Sequence, residues 1–486
     1  MLVRLCHNSF VRFYRDLGYI SNQLTRHDRV YDEHGAIFLS QIIRKPRSID
    51  KIVDDIFAKY RDADRAVVTQ DFANFIEDLE ADLFVVSGQT VKDLDAKEPR
   101  FRYGKSSVDF KAITRSALIM DPDHDQGPDT NSFFYKHFSH TPLLFSLQME
   151  VTSSCNERCR HCYLPPERDR NSIDTDLALN IVDQLEKMGT LGVTFSGGEL
   201  FLHSNISDIL LRARKRDLQI TILSNLTLLS DDLLECLKDV NISHIQTSIY
   251  STDPTIHDQI TRVPGSHAKT VAAIERLISA DIPVQISCPV MRSNLHTYKD
   301  VVTWASERSM KAQTDFIMMA RTDFSTDNLS ERLSDSEAES LIHDIIGHDP
   351  TFQDIVNRPI EETPERDDRG APVCGVGVHM LCLSADGICY PCSGWQGYPV
   401  GDVSRQSLEE IWNSSPELNK LRGITNASFP NCLSCNDRKY CSMCMVRNFN
   451  ESGGDPLKIN THFCRVARIN HQIVDKHRAK WAGIPK

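Results

Sequence analysis

Apolar residues recur along this chain with two different periods. In the first 93 residues the helical period dominates. Ile49, Ile52, Val53, Ile56, Phe57 and Tyr60 share one helix face behind Pro46 and a Ser48 N-cap, and Val68, Phe72, Phe75, Ile76 and Leu79 share another. The run 83–86, Leu-Phe-Val-Val, predicts a short buried strand. Upstream, 11–14 and 18–20 predict strands and 36–43 a helix.

From about 143 to 320 the pattern changes to an alternation of short apolar runs and amphipathic stretches. Strands are predicted over 144–151, 191–195, 220–223, 245–249, 284–288 and 313–318. Amphipathic runs lie between them, such as Ala178, Ile181, Leu185 and Met188. Six β-α units imply an α/β fold with a parallel sheet. They are too few for a full (β/α)8 barrel but enough for an open partial (β/α)6 TIM-like one, and a doubly wound sheet is the competing arrangement. In both, the site is expected at the C-terminal ends of the strands.

These patterns divide the chain. Residues 1–93 form a first unit, and 94–142 are polar and turn-rich, with Asp121-Pro122-Asp123-His124-Asp125-Gln126-Gly127-Pro128 in the middle, as in a linker. Residues 143–345 form the barrel, 346–373 a bridging segment with Pro359 and the acidic run Glu361–Glu365, and 374–486 a Cys-rich module. The first unit, strands plus three helices with the last running into a strand, resembles a winged helix. Its third helix carries Asp71, Glu77, Asp78 and Glu80, which a phosphate backbone repels, so DNA binding is disfavoured.

Composition narrows the class. At 486 residues, 40% hydrophobic and 25% charged, the chain is an ordinary globular protein of several domains. Its net charge of −12 argues against a nucleic-acid binder held by a basic field. No apolar run reaches a membrane span, and the start lacks the apolar core and cleavage site of a secretory signal, so a cytoplasmic address with no membrane partner is expected. Of 15 Cys, three lie at 155, 159 and 162 and nine between 374 and 464. In a reducing compartment such clusters read as metal ligands rather than disulfides. Cys6, Cys236 and Cys288 stand apart and read as small packing residues.

Cys155-Asn-Glu-Arg-Cys159-Arg-His161-Cys162 directly follows the first barrel strand. Three thiolates on a four-iron cluster leave one iron open for chemistry. A zinc site completed by His161 is the alternative, but His161 is adjacent to Cys162 and the two side chains tend to diverge. Further parts sit at successive strand ends: Ser196-Gly197-Gly198-Glu199, then Ser224-Asn225, then Ser248 and Arg262. Glycines allow close backbone approach to a ligand, a carboxylate can accept an ammonium, and an Arg can pair a carboxylate.

With these motifs, residues 143–320 resemble the radical S-adenosylmethionine (SAM) enzymes, which use a six-unit partial barrel. The resemblance implies that Cys155, Cys159 and Cys162 ligate a [4Fe–4S] cluster whose open iron chelates SAM. It implies that Gly197, Gly198 and Glu199 form the amine-binding motif, and that Ser224, Asn225, Ser248 and Arg262 contact ribose or carboxylate. His161 stands where that family commonly has a carbocyclic aromatic, and its ring can pack on adenine.

The Cys-rich module opens with Cys374-x12-Gly387-x4-Cys392, where Asp386-Gly387 signals a two-residue hairpin turn. Cys432-x2-Cys435-x5-Cys441-x2-Cys444 and Cys464 follow. A zinc ribbon is the alternative, but seven spaced Cys exceed one zinc. The pattern resembles the SPASM extension, which implies two auxiliary [4Fe–4S] clusters: an inner one on Cys374, Cys392 and Cys444, and an outer one on Cys432, Cys435, Cys441 and Cys464. The family's last spacing is x3, where this chain has x2. With a two-residue turn, Cys382 and Cys389 fall on the face opposite Cys392, leaving a fourth inner ligand open.

Together with the N-terminal unit, the chain resembles radical SAM/SPASM peptide maturases carrying a fused RiPP recognition element. The resemblance implies an oxidoreductase that modifies a ribosomal precursor peptide, forming a thioether or carbon–carbon cross-link after hydrogen abstraction by a 5′-deoxyadenosyl radical. The leader would add a strand to the N-terminal unit, and a one-electron donor such as flavodoxin or ferredoxin would be needed. Maturation of a small molecule or haem-type cofactor is the second enzyme reading, and an iron–sulfur redox sensor the non-enzyme one. Sulfatase-maturing relatives place an Asp base after the Cys at position 392; Ser393 stands there, so formylglycine formation is disfavoured. No catalytic base is identified.

Overall fold

The computed structural model describes residues 1–25, 27–60, 64–99, 137–138, 141–348, 369–441 and 443–481. Most of the expected linker and the bridging segment, including the acidic run, lies outside the described residues.

The first unit holds six strands: β1 (Leu2–Leu5), β2 (Ser9–Tyr14), β3 (Leu17–Asn22), β4 (His27–Tyr31), β5 (Arg47–Ser48) and β6 (Val85–Gly88). They form two small antiparallel sheets, β5-β1-β6 and β2-β3-β4. Helices Glu33–Ser40, Ile49–Lys59 and Arg65–Ala81 fall where the periodicity predicts them, and their stripes meet Val3, Ile20 and Phe84 in one core. Ser48 occupies the N-cap of the second helix without a side-chain cap bond, whereas Asp64 caps the third through Ala66 N. The helix Val91–Lys97 packs on this unit through Leu94, so the unit runs past residue 93.

The central sheet begins with β7 (Ser146–Thr152), β8 (Gly192–Gly197), β9 (Gln219–Leu223), β10 (His244–Ser248), β11 (Val284–Pro289) and β12 (Lys311–Asp315). All five pairings are parallel and follow chain order. That order lacks the reversal of a doubly wound sheet. On β7, Leu147, Met149 and Val151 enter the apolar core, and the alternate positions Gln148 and Glu150 face the other way. The helix Thr175–Lys187 buries Ala178, Ile181, Val182 and Leu185, and Asp174 caps it at Leu177 N. The sixth strand starts and ends earlier than its apolar run suggests, because it is a half-exposed edge strand of sequence KAQTD.

The sheet continues beyond β7. Strand β13 (Met380–Leu383) pairs parallel with β7, and β14 (Ile388–Tyr390) and β15 (Gly401–Asp402) follow antiparallel. The hairpin loop is Ser384–Gly387 rather than a two-residue turn. Ser384 N bonds Ile388 O, the Ser384 hydroxyl bonds the Asp386 carboxylate, and Gly387 takes φ +84°. The register becomes Leu383 opposite Cys389 and Cys382 opposite Tyr390. Cys382 and Cys389 therefore project from opposite faces, a correction of the expected arrangement.

The N-terminal unit sits at the entry end of the parallel strands. The Tyr14 hydroxyl donates to Gly189 O at 2.6 Å, Arg12 Nη2 to Arg216 O at 2.9 Å and Gln23 Nε2 to Leu218 O at 3.3 Å. Arg44 pairs with Asp217 at 2.6 Å. Phe10, Tyr14 and Tyr19 pack with Phe138, Phe145 and Leu191 in a shared apolar cluster.

Candidate functional site

At the opposite end, where the parallel strands finish, a cavity of about 440 Å³ opens. Cys155, Cys159, His161 and Cys162 line it from the loop after β7, Gly197 and Gly198 from the end of β8 and the residue after it, Ser224 and Asn225 from the loop after β9, Ser248 from β10, and Arg262 beyond it. Chain segments remote in sequence converge because each parallel strand delivers its C-terminal loop to the same end.

Two glycines lock the cysteine loop in place. A Cβ on Gly197 would lie 2.2 Å from Thr152 O, and one on Gly198 2.2 Å from Ser154 O. Gly198 N and Glu199 N donate to Thr152 O and Ser154 O at 2.7 and 2.8 Å. The close approach these glycines allow is thus to the chain's own backbone, just before Cys155.

Glu199 does not line the cavity. Its carboxylate accepts from Ser224 Oγ (2.7 Å), Asn225 N (2.7 Å) and Phe201 N (3.1 Å). Burial raises its pKa while these donors oppose the rise. Its visible work is to orient Ser224 and Asn225. Asn225 continues the network by donating to Asn156 Oδ1 at 2.9 Å, which ties the β9 loop to the cysteine loop.

The cysteines fit a polynuclear cationic centre. Burial, with Glu199, Glu157 and Cys162, pushes Cys155 up to about 11, and burial with Glu157 and the other two thiols holds Cys159 well above the ordinary range. Three mutually repelling thiolates need a cation to offset that cost. Among the described residues, no three His, Cys, Asp or Glu side chains close on the space of one ion. The His161 ring meets Tyr250 edge-on at 5.0 Å, its Nδ1 has no hydrogen-bond partner among the described residues, and burial lowers its pKa to about 4. A neutral, apolar-packed imidazole can present its flat face to a ligand.

Sequence reasoning missed several lining residues. Gln148, Gln246 and Ser287 are polar residues at alternate positions of otherwise apolar strands, and Tyr163, Tyr250, Arg168 and Arg321 complete the wall. The strand set could have been found from its alternation, polar residues where a sheet buried on both faces reads as continuously apolar. Arg321 arrives from a loop after β12, donating through Nε to Cys162 O at 3.2 Å, and no local pattern announces it. Buried Glu150 lies behind Tyr163, accepts from Gln396 Nε2 at 2.8 Å and is pushed up to about 7 by burial.

The remaining cysteines sort into two neighbourhoods. Cys374 senses Cys392 and Cys444 electrostatically, so Cys444 leaves its neighbours in sequence to join the first pair. Cys432, Cys435, Cys441 and Cys464 line a second, smaller cavity. Cys382 lies fully buried near Glu150 and Cys392, whereas Cys389 belongs to the apolar core. Cys6 and Cys288 are buried, and Cys236 is half-buried against the core.

Comparison with known proteins agrees with this arrangement. Residues 149–305 match the Radical SAM superfamily and residues 374–437 the SPASM iron-sulfur cluster-binding domain. The chain is 24% identical over 324 residues to the AdoMet-dependent heme synthase of Methanosarcina barkeri, covering 63% of this chain and 92% of that one. It is 26% identical over 322 residues to the antilisterial bacteriocin subtilosin biosynthesis protein AlbA of Bacillus subtilis, covering 64% and 69%. Its fold is similar to that of Streptococcus suis SuiB, solved bound to the precursor peptide SuiA, with a TM-score of 0.60 at 15% identity, covering 94% of this chain and 98% of SuiB. No described helix is long and apolar enough to cross a membrane. The chain therefore carries a radical SAM domain followed by a SPASM domain, with SAM, a [4Fe–4S] cluster and auxiliary iron–sulfur clusters as its cofactors.

Proposed function

We propose that this chain is a radical SAM oxidoreductase that matures a ribosomally made precursor peptide, closing a thioether or carbon–carbon cross-link. The observation that carries the reading is the likeness of fold to a peptide-bound maturase, which spans the N-terminal unit as well as the two iron–sulfur domains. When bound, SAM and its cluster supply a 5′-deoxyadenosyl radical for hydrogen abstraction.

In this reading Cys155, Cys159 and Cys162 hold the cluster at the mouth of a partial barrel. Gly197 and Gly198 shape the floor of the SAM pocket. Glu199 presents Ser224 and Asn225 to SAM, Ser248 and Arg262 contact its polar groups, and His161 packs on adenine. Cys374, Cys392 and Cys444 hold the inner auxiliary cluster, and Cys432, Cys435, Cys441 and Cys464 the outer one. The N-terminal unit is a winged-helix-like recognition domain whose sheet edge pairs with the leader, and a cytoplasmic one-electron donor feeds the clusters.

A second reading, maturation of a small molecule or haem-type cofactor, is favoured by the relation to heme synthase. Mass spectrometry separates the two. The reconstituted enzyme, with SAM and reductant, is expected to lighten the precursor encoded beside it by two hydrogens and to move substrate deuterium into 5′-deoxyadenosine. An unmodified peptide alongside turnover of a tetrapyrrole would move the function to the second reading. Iron should reach about 12 per chain, falling by about four when Cys155, Cys159 and Cys162 are replaced by Ala together.

A further inference from the structure

Charge is unevenly spread along the chain. Residues 436–486 carry 10 Lys and Arg against 4 Asp and Glu, a net of +6, in a chain of net −12, so the first 435 residues sum to −18. Among the described residues, Arg438 lines the cavity formed with Cys432, Cys435, Cys441 and Cys464, and further cations stand on the turn and the helix that supply those cysteines. Arg438 and Lys439 stand on the turn between Cys435 and Cys441, and Lys439 is exposed over the Tyr440 ring. The helix Thr461–Trp481, which carries Cys464, presents Arg468 and Lys476 to solvent, Arg468 with 65% of its side chain exposed.

The turn and the helix are one surface. Tyr440 stacks on His471 with centroids 4.5 Å apart, and the Tyr440 hydroxyl reaches Asp475 at 3.5 Å. The two acids on this face are engaged there. Asp437 accepts from His471 Nδ1 at 2.7 Å and lies 3.7 Å from Arg468, and Asp475 meets His471 Nε2 at 3.1 Å. Cys435 itself is exposed, so the outer cysteine set comes to the surface in the middle of the cations.

We propose that the face formed by Arg438, Lys439, Arg468 and Lys476 is the docking surface for an acidic one-electron carrier protein, which it seats against the outer cysteine set. The inference rests on the reading of that set as the ligands of the outer auxiliary cluster. On docking, the one electron that the reduced carrier gives up would pass to the cluster that Cys432, Cys435, Cys441 and Cys464 would hold; no bond forms or breaks. Electron-transfer encounters use small, weak interfaces, so orientation comes from long-range charge rather than from buried area. An acidic carrier is repelled by the −18 summed over the first 435 residues and attracted by this face, which aims it at the cysteine set that surfaces at Cys435. A nucleic acid would meet the same repulsion over a much longer contact.

The test uses a reduced acidic flavodoxin and the reconstituted full-length enzyme, mixed in a stopped flow at about 0.05 and about 0.3 M salt. Flavodoxin oxidation by the unmodified enzyme is expected to slow about tenfold between the two salts. The Arg468→Glu/Lys476→Glu variant, away from the cysteine turns, is expected to be about tenfold slower at low salt and insensitive to added salt. Binding of oxidised flavodoxin should weaken in parallel, while iron content and dithionite-driven SAM cleavage stay unchanged. Lys439→Glu should show the same pattern. Variants that oxidise flavodoxin at the unmodified rate, with the same salt dependence, would overturn the proposal. So would loss of RNA binding with flavodoxin kinetics intact. An iron content of about eight, unaffected by replacing Cys432 and Cys435, would instead remove the outer cluster and with it the underlying reading.

Discussion

The modules on either side of the parallel sheet are joined to it by different forces. The C-terminal module continues the sheet: β13 pairs with β7 on one side and β14 on the other, with Leu383 in both ladders. The N-terminal unit contributes no strand to that sheet. It is held by side-chain bonds to loop carbonyls and by an apolar cluster at the strands' entry end. Backbone ladders hold rigid distances, here between β7, which leads into the cysteine loop, and the hairpin that precedes Cys392. Side-chain docking tolerates adjustment, which suits a module working at the far end. The separation also has a cost for experiments. Removing residues 1–93 would strip cover from Phe145 and Leu191, so deletion tests the fold as well as the role of the unit.

The sharpest way to break this contrast is Leu383→Pro. A proline between two ladders removes a hydrogen-bond donor and is found essentially only on edge strands or at bulges. Loss of soluble protein or of bound iron is expected, measured by circular dichroism and iron assay; retention of both would show that the sheet is not the join.

The seam should also be sensitive to pH. Glu150, on β7, meets Gln396 across the seam, with Arg168 and Asp386 in electrostatic reach. Its folded pKa of about 7 stands above the ordinary 4.5 because of burial. A raised carboxyl pKa gives stability that is full below about 4.5 and lost as pH rises through about 7. The loss amounts to ~3 kcal/mol for this shift. Glu150→Gln is expected to melt higher at pH 8 and to flatten the pH dependence; an unchanged slope would place that carboxyl in contact with water.

Glu199→Gln probes the exit end more gently. Its bonds to Ser224 and Asn225 N lose their charge assistance, worth ~1.5–3 kcal/mol. SAM binding should weaken about tenfold or more by calorimetry with iron content unchanged. Equal affinity would separate Glu199 from the pocket altogether.

The smallest effect is expected at the entry end. Tyr14→Phe deletes one hydroxyl bond to Gly189 O, worth about 1 kcal/mol. Hydrogen exchange near Gly189 should quicken about fivefold while SAM cleavage stays the same. A fall in SAM cleavage would show that the two ends are coupled.

The sequence by itself determined the local terms. Apolar period placed the three N-terminal helices and five of the six parallel strands, because burial imposes periods of 3.6 and 2 on any chain. Cysteine spacing singled out the metal-ligand candidates, because ligands supplied by one loop must be close in sequence. Only tertiary structure decided what depends on register and on long-range neighbours. It moved Cys382 to the other face through a one-residue shift in the hairpin register. It set Glu199 behind the cavity wall, brought Arg321 to Cys162 O across 159 residues, and put the N-terminal unit at the end of the sheet remote from that cavity. Such contacts join segments whose separation along the chain carries no period, so they exist only once the parallel strands have delivered their loops to a common end.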